Sequence, residues 1–221
     1  MFNTGYEVPE IVEEKEFNEF LNGVFKEAVL EFNGACGKSV SKVKDGHQAV
    51  DMVINECKRV VEECHETIKA YHDKDRKERL DGVVDVFWTN TQLSHILTYF
   101  LANHKEPFMA GLANLEYDDQ MYLQYARDLV PLALKLGQGT NISAKAVVVS
   151  ALRVIANNKL KYTDDASKAE LWEKNIPVEF KGLHVLKSYE YNGGIFYCIK
   201  RLEDDYIVKP YDFKPVSLED L

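Results

Sequence analysis

The sequence predicts a mainly α-helical protein that ends in a small antiparallel β meander. Apolar residues recur at helical spacing over residues 47–71 and again over residues 76–103, which predicts two long amphipathic helices. Towards the C-terminus the helical period disappears, and Asn192-Gly193-Gly194 is typical of a hairpin turn between two strands. We therefore expect a helical domain over residues 1–180 and a small β appendage with a tail over residues 181–221.

The other elements follow from the same periodicities and from their end signals. Helical spacing also predicts helices over residues 11–33, 118–136, 143–157 and 164–174. Thr163 is a good N-cap for the last of these helices. Alternation predicts strands at His184–Tyr191, Ile195–Arg201 and Tyr206–Lys209, with a second turn at Glu203-Asp204-Asp205.

Composition and charge limit the possible functions. The chain has 221 residues and a formal net charge of −9, which repels a nucleic-acid backbone unless a basic patch is segregated. Neither a long apolar run nor a signal peptide is recognisable, so we expect no membrane span and a cytoplasmic location. A small phosphorylated substrate remains compatible with this charge if metal ions carry its phosphates.

The four cysteines do not form a motif. Cys36, Cys57, Cys64 and Cys198 contain no CxxC pair, so a disulfide or zinc role is not expected. Cys57 and Cys64 are seven residues apart on one helical face among valines, which indicates reduced thiols packed in the core.

Two acidic stripes are the most informative feature of the sequence. Glu62, Glu63 and Glu66 fall within about 100° of arc on the first long helix, beside its apolar stripe. On the next helix, acids at i, i+3 and i+7 fall within about 60° of one another. They are Glu78, Asp81 and Asp85.

A metal site is the interpretation that these stripes favour. The short charged loop over residues 72–77 makes the two helices antiparallel neighbours, so packing their apolar stripes can bring the acids together. Such a cluster repels strongly without cations, and Mg²⁺ or Mn²⁺ would relieve the repulsion. The alternative is a solvated acidic face, which is the usual meaning of such spacing. Asp85 argues against it, because this acid is flanked by apolar residues and is expected to be largely buried.

Di-iron chemistry is a competing metal interpretation. Glu62-x-x-His65 matches the Glu-x-x-His element of ferritin-like bundles, but that fold needs two such elements. No other acid stands three residues before a histidine in this chain. We therefore expect His65 to be a partly exposed surface residue.

The acidic pattern resembles a known family. Glu62-Glu63-x-x-Glu66, followed by an acidic x-x-Asp pattern on the next helix, resembles the EExxE…ExxD signature of MazG-like nucleoside triphosphate pyrophosphohydrolases. Val154–Tyr162 is similar to the V-x-x-S-N-M-S-K-(F/Y) element of the phage and bacterial phosphoribosyl-ATP-pyrophosphohydrolase-like members, with Asn158 and Lys161 at its Asn and Lys. Ile207–Pro215 resembles the K-I-L-K-P ending of the same group. The resemblance covers roughly residues 45–100 and 143–215.

Two departures from the family pattern stand out. The spacing between Asp85 and Asn158 is longer than the family pattern, so the stretch near residues 100–140 has the character of an insertion. The second motif aligns in two ways. Glu78 with Asp81 fits the literal ExxD, whereas Asp81 with Asp85 better fits an acid followed by an apolar run. The sequence leaves both registers open.

The resemblance implies an antiparallel all-α bundle that cleaves a nucleotide between its α- and β-phosphates. Mg²⁺, with Mn²⁺ as an alternative, would be held by the acids of both helices: Glu62, Glu63, Glu66, Glu78, Asp81 and Asp85. Glu62 or Glu63 would accept the proton of the attacking water.

The resemblance also implies substrate contacts and an assembly. Asn158 would bind sugar or base and Lys161 a phosphate. The partner would be a nucleotide, without nucleic acid or membrane, and the protein would form a homodimer or homotetramer. The alternative function is a non-catalytic interaction protein on the same scaffold, with the acids as a cation-stabilised dimer surface. The base, the sugar and an alarmone substrate are left open.

Overall fold

The computed structural model describes residues 6–43, 45–139 and 141–216. The chain is mainly helical and carries a small antiparallel sheet, which confirms the coarse fold prediction. None of the described helices combines the length and the apolar character that crossing a bilayer would require.

The contacts of the chain group it into two compact units. One unit consists of the described residues within Met1–Glu7, Glu19–Ser39 and Ala151–Leu221, and the other consists of those within Val8–Asn18 and Val40–Ser150. These units do not follow the predicted division at residue 180, and the domain boundary itself stays a prediction.

The helices lie close to their predicted positions, with three differences. Their bounds are α1 Glu14–Phe20, α2 Lys26–Ala35, α3 Gly46–His72, α4 Arg76–Asn103, α5 Lys105–Ala113, α6 Tyr117–Gln138, α7 Ala144–Lys159 and α8 Ala166–Lys174. A π-helical turn at Leu21–Phe25, in which Gly23 leaves helical dihedral angles, divides the predicted helix 11–33 into α1 and α2. α5 was not predicted, because its apolar positions do not form a clear period. α8 is capped by Asp165, whose carboxylate accepts from the backbone N–H groups of Ser167 and Lys168, and not by Thr163.

The unit that contains α3 is a helical bundle around one apolar core. α3 packs against α4, α5 and α6, and α6 also packs against α4. The buried residues of this core include Val53, Val60, Cys64, Val86 and Ile96. The stretch near residues 100–140 therefore holds helices that close the bundle.

The other unit carries the sheet. Its strands are β1 Tyr162–Thr163, β2 His184–Tyr191, β3 Gly194–Arg201 and β4 Ile207–Val208. β2 pairs antiparallel with one edge of β3, while β1 and β4 pair with its other edge. Asn192 and Gly193 both have positive φ (48° and 78°), as a two-residue hairpin turn requires, so the predicted hairpin is confirmed.

The two faces of this sheet pack differently. On one face Ile199 joins Trp172 of α8 and Ile176, which follows α8, in a small apolar core. Alternate residues of a strand point to opposite faces. The opposite face therefore carries Tyr189 and Tyr191, whose rings contact the end of α2.

Candidate functional site

The acidic stripes lie where α3 and α4 pack side by side. Asp75 caps α4 by accepting from the backbone N–H groups of Lys77 and Glu78, so the turn after His72 reverses the chain within three residues. The prediction that these helices are antiparallel neighbours is confirmed.

A glycine sets how closely the two helices approach. A Cβ atom at Gly82 would collide with the Oγ1 atom of Thr67 and would lie 3.1 Å from its Cβ. Thr67 cannot turn away cheaply, because its hydroxyl donates to the backbone carbonyl of Glu63 at 2.8 Å. The absence of a side chain at position 82 therefore lets α4 lie directly on α3 at this point.

This contact aligns the acids of the two helices. In an antiparallel pair, the position one turn before Thr67 on α3 lies opposite the positions one turn after Gly82 on α4. These positions hold Glu63 and the turn that contains Asp85. The electrostatic coupling between Glu63 and Asp85 agrees with this alignment.

Glu63 is the electrostatic centre of the cluster. Burial raises the pKa of its carboxyl group to about 8, and the charges of Asp85, Glu66 and Glu62 add to this effect. Arg59 opposes the shift but does not cancel it. Without a bound cation this shift favours the protonated form of Glu63, and the proton reduces the repulsion among the acids.

The predicted acids differ in exposure. Glu62 and Glu66 are exposed on α3, whereas Glu63 is half-buried. Asp81 and Asp85 are also half-buried, so the expectation that Asp85 is largely buried was too strong.

The two possible second motifs differ in their surroundings. Asp81 accepts a hydrogen bond from the Ser150 hydroxyl at 3.2 Å, and Asp85 acts on Glu63. Glu78 is exposed in the first turn of α4, where the helix dipole favours an acid without any ligand. These surroundings favour the pair of Asp81 and Asp85 over the literal ExxD.

Several polar residues near the acids were not predicted from the sequence. Ser150 comes from α7, and nothing in its sequence context marks it as a neighbour of Asp81. Glu56, two turns before Glu63 on α3, is buried (6% exposed). It pairs with Arg59, one turn before Glu63, at 3.5 Å. Gln92 lies two turns beyond Asp85. Its buried Oε1 has no hydrogen-bond partner within residues 6–43, 45–139 and 141–216.

Asn158 and Lys161 belong to the other compact unit. Asn158 is buried (8% exposed) in the last turn of α7, and its backbone carbonyl accepts from the backbone N–H of Lys161 at 3.0 Å. The Lys161 ammonium lies 5.8 Å from the centre of the Phe32 ring. The roles of Asn158 and Lys161 in substrate binding stay predictions. His65 is exposed, as predicted.

The acids are not arranged as a ready set of metal ligands. Among the residues that the structure describes, no three His, Cys, Asp or Glu side chains converge closely enough to hold a metal ion. The donor chemistry still suits a hard divalent cation, since several carboxylates with mutual repulsion flank the seam between α3 and α4. Cation binding would thus require rotamer changes of exposed side chains such as Glu62 and Glu66.

We expect Gly82→Ala to destabilise the protein by up to about 2 kcal/mol. Overpacking against Thr67 costs roughly 1–3 kcal/mol, and the better helix propensity of alanine returns only part of it, about 1 kcal/mol. Urea unfolding of both proteins measures the difference. Thr67→Ala in the Gly82→Ala background should recover part of the loss, because it removes the clashing hydroxyl. A Gly82→Ala variant as stable as the wild type would contradict the close approach.

No family model matches the chain, and neither a curated protein nor a solved structure shows a significant match to it.

Proposed function

We propose that this protein is a Mg²⁺-dependent nucleoside triphosphate pyrophosphohydrolase of the MazG-like type, which cleaves an NTP or dNTP between its α- and β-phosphates. The feature that carries the proposal is the half-buried Glu63 carboxyl group next to Asp85 of α4, where burial and the charges of Asp85, Glu66 and Glu62 raise its pKa. If Glu63 had only a structural role, a neutral residue at this position would make the fold more stable. A residue that binds a cation needs the carboxylate.

The proposed ligands come from both helices. Glu62, Glu63 and Glu66 of α3 and Asp85 of α4, with Asp81 beside them, supply carboxylate oxygens, which Mg²⁺ and Mn²⁺ prefer. The cation, when bound, offsets the charge of the triphosphate oxygens and lowers the pKa of the attacking water. The helix dipole already explains an acid at Glu78, in the first turn of α4, so Glu78 is left out of this ligand set.

The residues of the chain have distinct parts in the proposal. Glu63 has to release its proton before it can serve as a ligand, so cation binding would displace that proton. Glu62 is exposed and is therefore the better placed of the two glutamates to accept the proton of the attacking water. Ser150 donates to Asp81 and orients its carboxylate. Assembly as a homodimer or homotetramer stays a prediction.

We expect Glu66→Gln to lower pyrophosphate release from nucleotides by at least about 100-fold in millimolar Mg²⁺. The amide keeps the size of the side chain and loses the charge that would hold the cation. Because Glu66 is exposed, the variant should fold as the wild type does. The measurement is pyrophosphate release against a panel of NTPs and dNTPs, for wild type and variant.

A melting curve separates catalysis from cation binding. Millimolar Mg²⁺ should raise the melting temperature of the wild type relative to EDTA by mass action, and should raise that of Glu66→Gln less. Wild-type turnover by Glu66→Gln would refute its role as a ligand. A wild type that binds Mg²⁺ but releases no pyrophosphate from any nucleotide would refute the proposed activity and favour the interaction protein.

A further inference from the structure

Two cysteines from distant parts of the chain meet inside the unit that carries the sheet. Cys36 follows the last residue of α2 and Cys198 lies in β3. Both side chains are fully buried (0% exposed), and their thiols are hydrogen-bonded to each other. Neither the fold prediction nor the proposed nucleotide chemistry uses this pair.

The packing of α2 on the sheet explains why the thiols meet. Cys198 pairs with Lys187 and Phe196 pairs with Tyr189, so these four side chains lie on one face of the sheet. On that face, Tyr189 and Tyr191 occupy the space that a Cβ atom would need at Gly37 and Gly34.

The two glycines bring the backbone of α2 onto the rings. Cys36 lies between Gly34 and Gly37 in the chain, so it is pressed against the same face as Cys198. The contact therefore follows from the close approach of α2 to this face of the sheet.

A buried cation lies beside the pair. Lys200 is two residues after Cys198 on the same face and is fully buried (0% exposed). Its ammonium donates to the Asp205 carboxylate at 2.8 Å and to the Asp205 carbonyl at 3.1 Å. Burying a charged amine is costly unless the charge has such a partner, so the bonds to Asp205 stabilise the Lys200 ammonium at this position.

This environment makes the two thiols unequal. The hydrogen bond from Cys36 and the charge of Lys200 lower the pKa of the Cys198 thiol, although burial opposes this effect. The hydrogen bond and burial raise the pKa of Cys36 above its usual range. Cys198 is therefore the more acidic of the two thiols.

We propose that Cys36 and Cys198 form an oxidation site, at which a peroxide converts the two thiols into an intramolecular disulfide that ties the end of α2 to β3. The adjacent sulfurs, the close backbone approach and the buried Lys200 cation together carry this proposal.

The chemistry balances with hydrogen peroxide as the oxidant. The Cys198 thiolate attacks one peroxide oxygen, the O–O bond breaks, and hydroxide leaves and takes up a proton to become water. Cys198 is then a sulfenic acid. The Cys36 sulfur attacks the Cys198 sulfur and loses its proton, the S–O bond breaks, and the departing hydroxide takes that proton to give a second water. The two thiols lose two electrons, and the peroxide gains them.

The other two cysteines form an internal control. Cys57 and Cys64 are also buried, but they lie seven residues apart on α3. At 1.5 Å of rise per residue their Cα atoms are about 10 Å apart, beyond the limit of about 7 Å for a disulfide. If burial alone governed oxidation, all four cysteines would react alike. If contact between thiols governs it, only Cys36 and Cys198 form a disulfide.

The test oxidises the full chain under native conditions with millimolar hydrogen peroxide, then alkylates it in denaturant and maps the cysteine peptides by mass. We expect one cross-linked peptide pair, Cys36 with Cys198, that dithiothreitol separates, while Cys57 and Cys64 are alkylated. The oxidised chain should melt roughly 5–15 °C higher than the reduced chain, because the bridge closes a long loop. The double variant Cys57→Ser and Cys64→Ser should form the same bridge.

Two results would overturn the proposal. Alkylation of all four cysteines after oxidation would show that the pair is not reactive. A cross-link that joins Cys36 or Cys198 to Cys57 or Cys64 would show that contact between the thiols does not select the pair. Cys36→Ser should leave Cys198 without a cross-link. If that variant fails to fold, the comparison of oxidised and reduced wild type still decides, since it needs no substitution.

Discussion

Asp85→Asn is expected to reduce pyrophosphate release by more than about 100-fold, because it removes the α4 carboxylate that we propose as a cation ligand beside Glu63. Asp81→Asn should lose activity to a similar degree. Glu78→Gln, the matched control on the same helix, should lose far less, because Glu78 is exposed in the first turn and is favoured there by the helix dipole. The measurement is turnover and Mg²⁺ affinity of the three single variants.

Melting temperatures in EDTA test whether misfolding, and not loss of a ligand, explains a loss of turnover in these variants. Asp85→Asn removes a charge that repels the other acids, so it should not lower the melting temperature without metal. The expected pattern is thus a stable protein that has lost turnover. An inactive Glu78→Gln beside an active Asp85→Asn would show that the literal ExxD register is the correct one.

Glu63→Gln is expected to stabilise the metal-free protein at pH 8 by on the order of 3 kcal/mol, after a discount for the part of the side chain that solvent reaches. The folded-state pKa of Glu63 is about 8, against an ordinary value of 4.5. Between these two values the folded protein holds a proton that the unfolded chain has lost. The contribution of this group is therefore fully present below pH 4.5 and declines as the pH rises to about 8.

The difference between pH 5 and pH 8 carries this prediction. In EDTA, urea unfolding of Glu63→Gln and wild type should give similar stability near pH 5 and a more stable variant at pH 8. Glu173→Gln, an exposed glutamate on α8, controls for the amide itself and should track the wild type at both values. Equal destabilisation by Glu63→Gln at both pH values would contradict the buried, proton-bearing state. Saturating Mg²⁺ at pH 8 should reduce or reverse the advantage of the variant.

The sequence predicted the elements that depend on local rules. The ends of α3 and α4 lie within one residue of their predicted positions, because capping by Asp75 and apolar periodicity are encoded in neighbouring residues. The hairpin at Asn192 and Gly193 was also predictable, since its two positive φ angles favour these residue types.

The errors arose where local signals compete or are absent. Thr163 and Asp165 are both suitable caps for α8, and the choice of Asp165 depends on Thr163 lying in β1 instead. β1 itself has only two residues and no alternation of its own, so its pairing with β3 could not be predicted.

The sequence by itself determined the mainly helical class, the two acidic stripes on consecutive helices and the C-terminal hairpin, because each depends on the period of the chain and on residue types a few positions apart. Only the tertiary structure decided that Asp85 acts on Glu63, that Ser150 donates to Asp81 and that Cys36 meets Cys198. The physical reason is that these contacts depend on how closely two backbones approach. Gly82 sets that approach against Thr67 of the preceding helix. Gly34 and Gly37 set it against Tyr191 and Tyr189, which lie far away in the sequence.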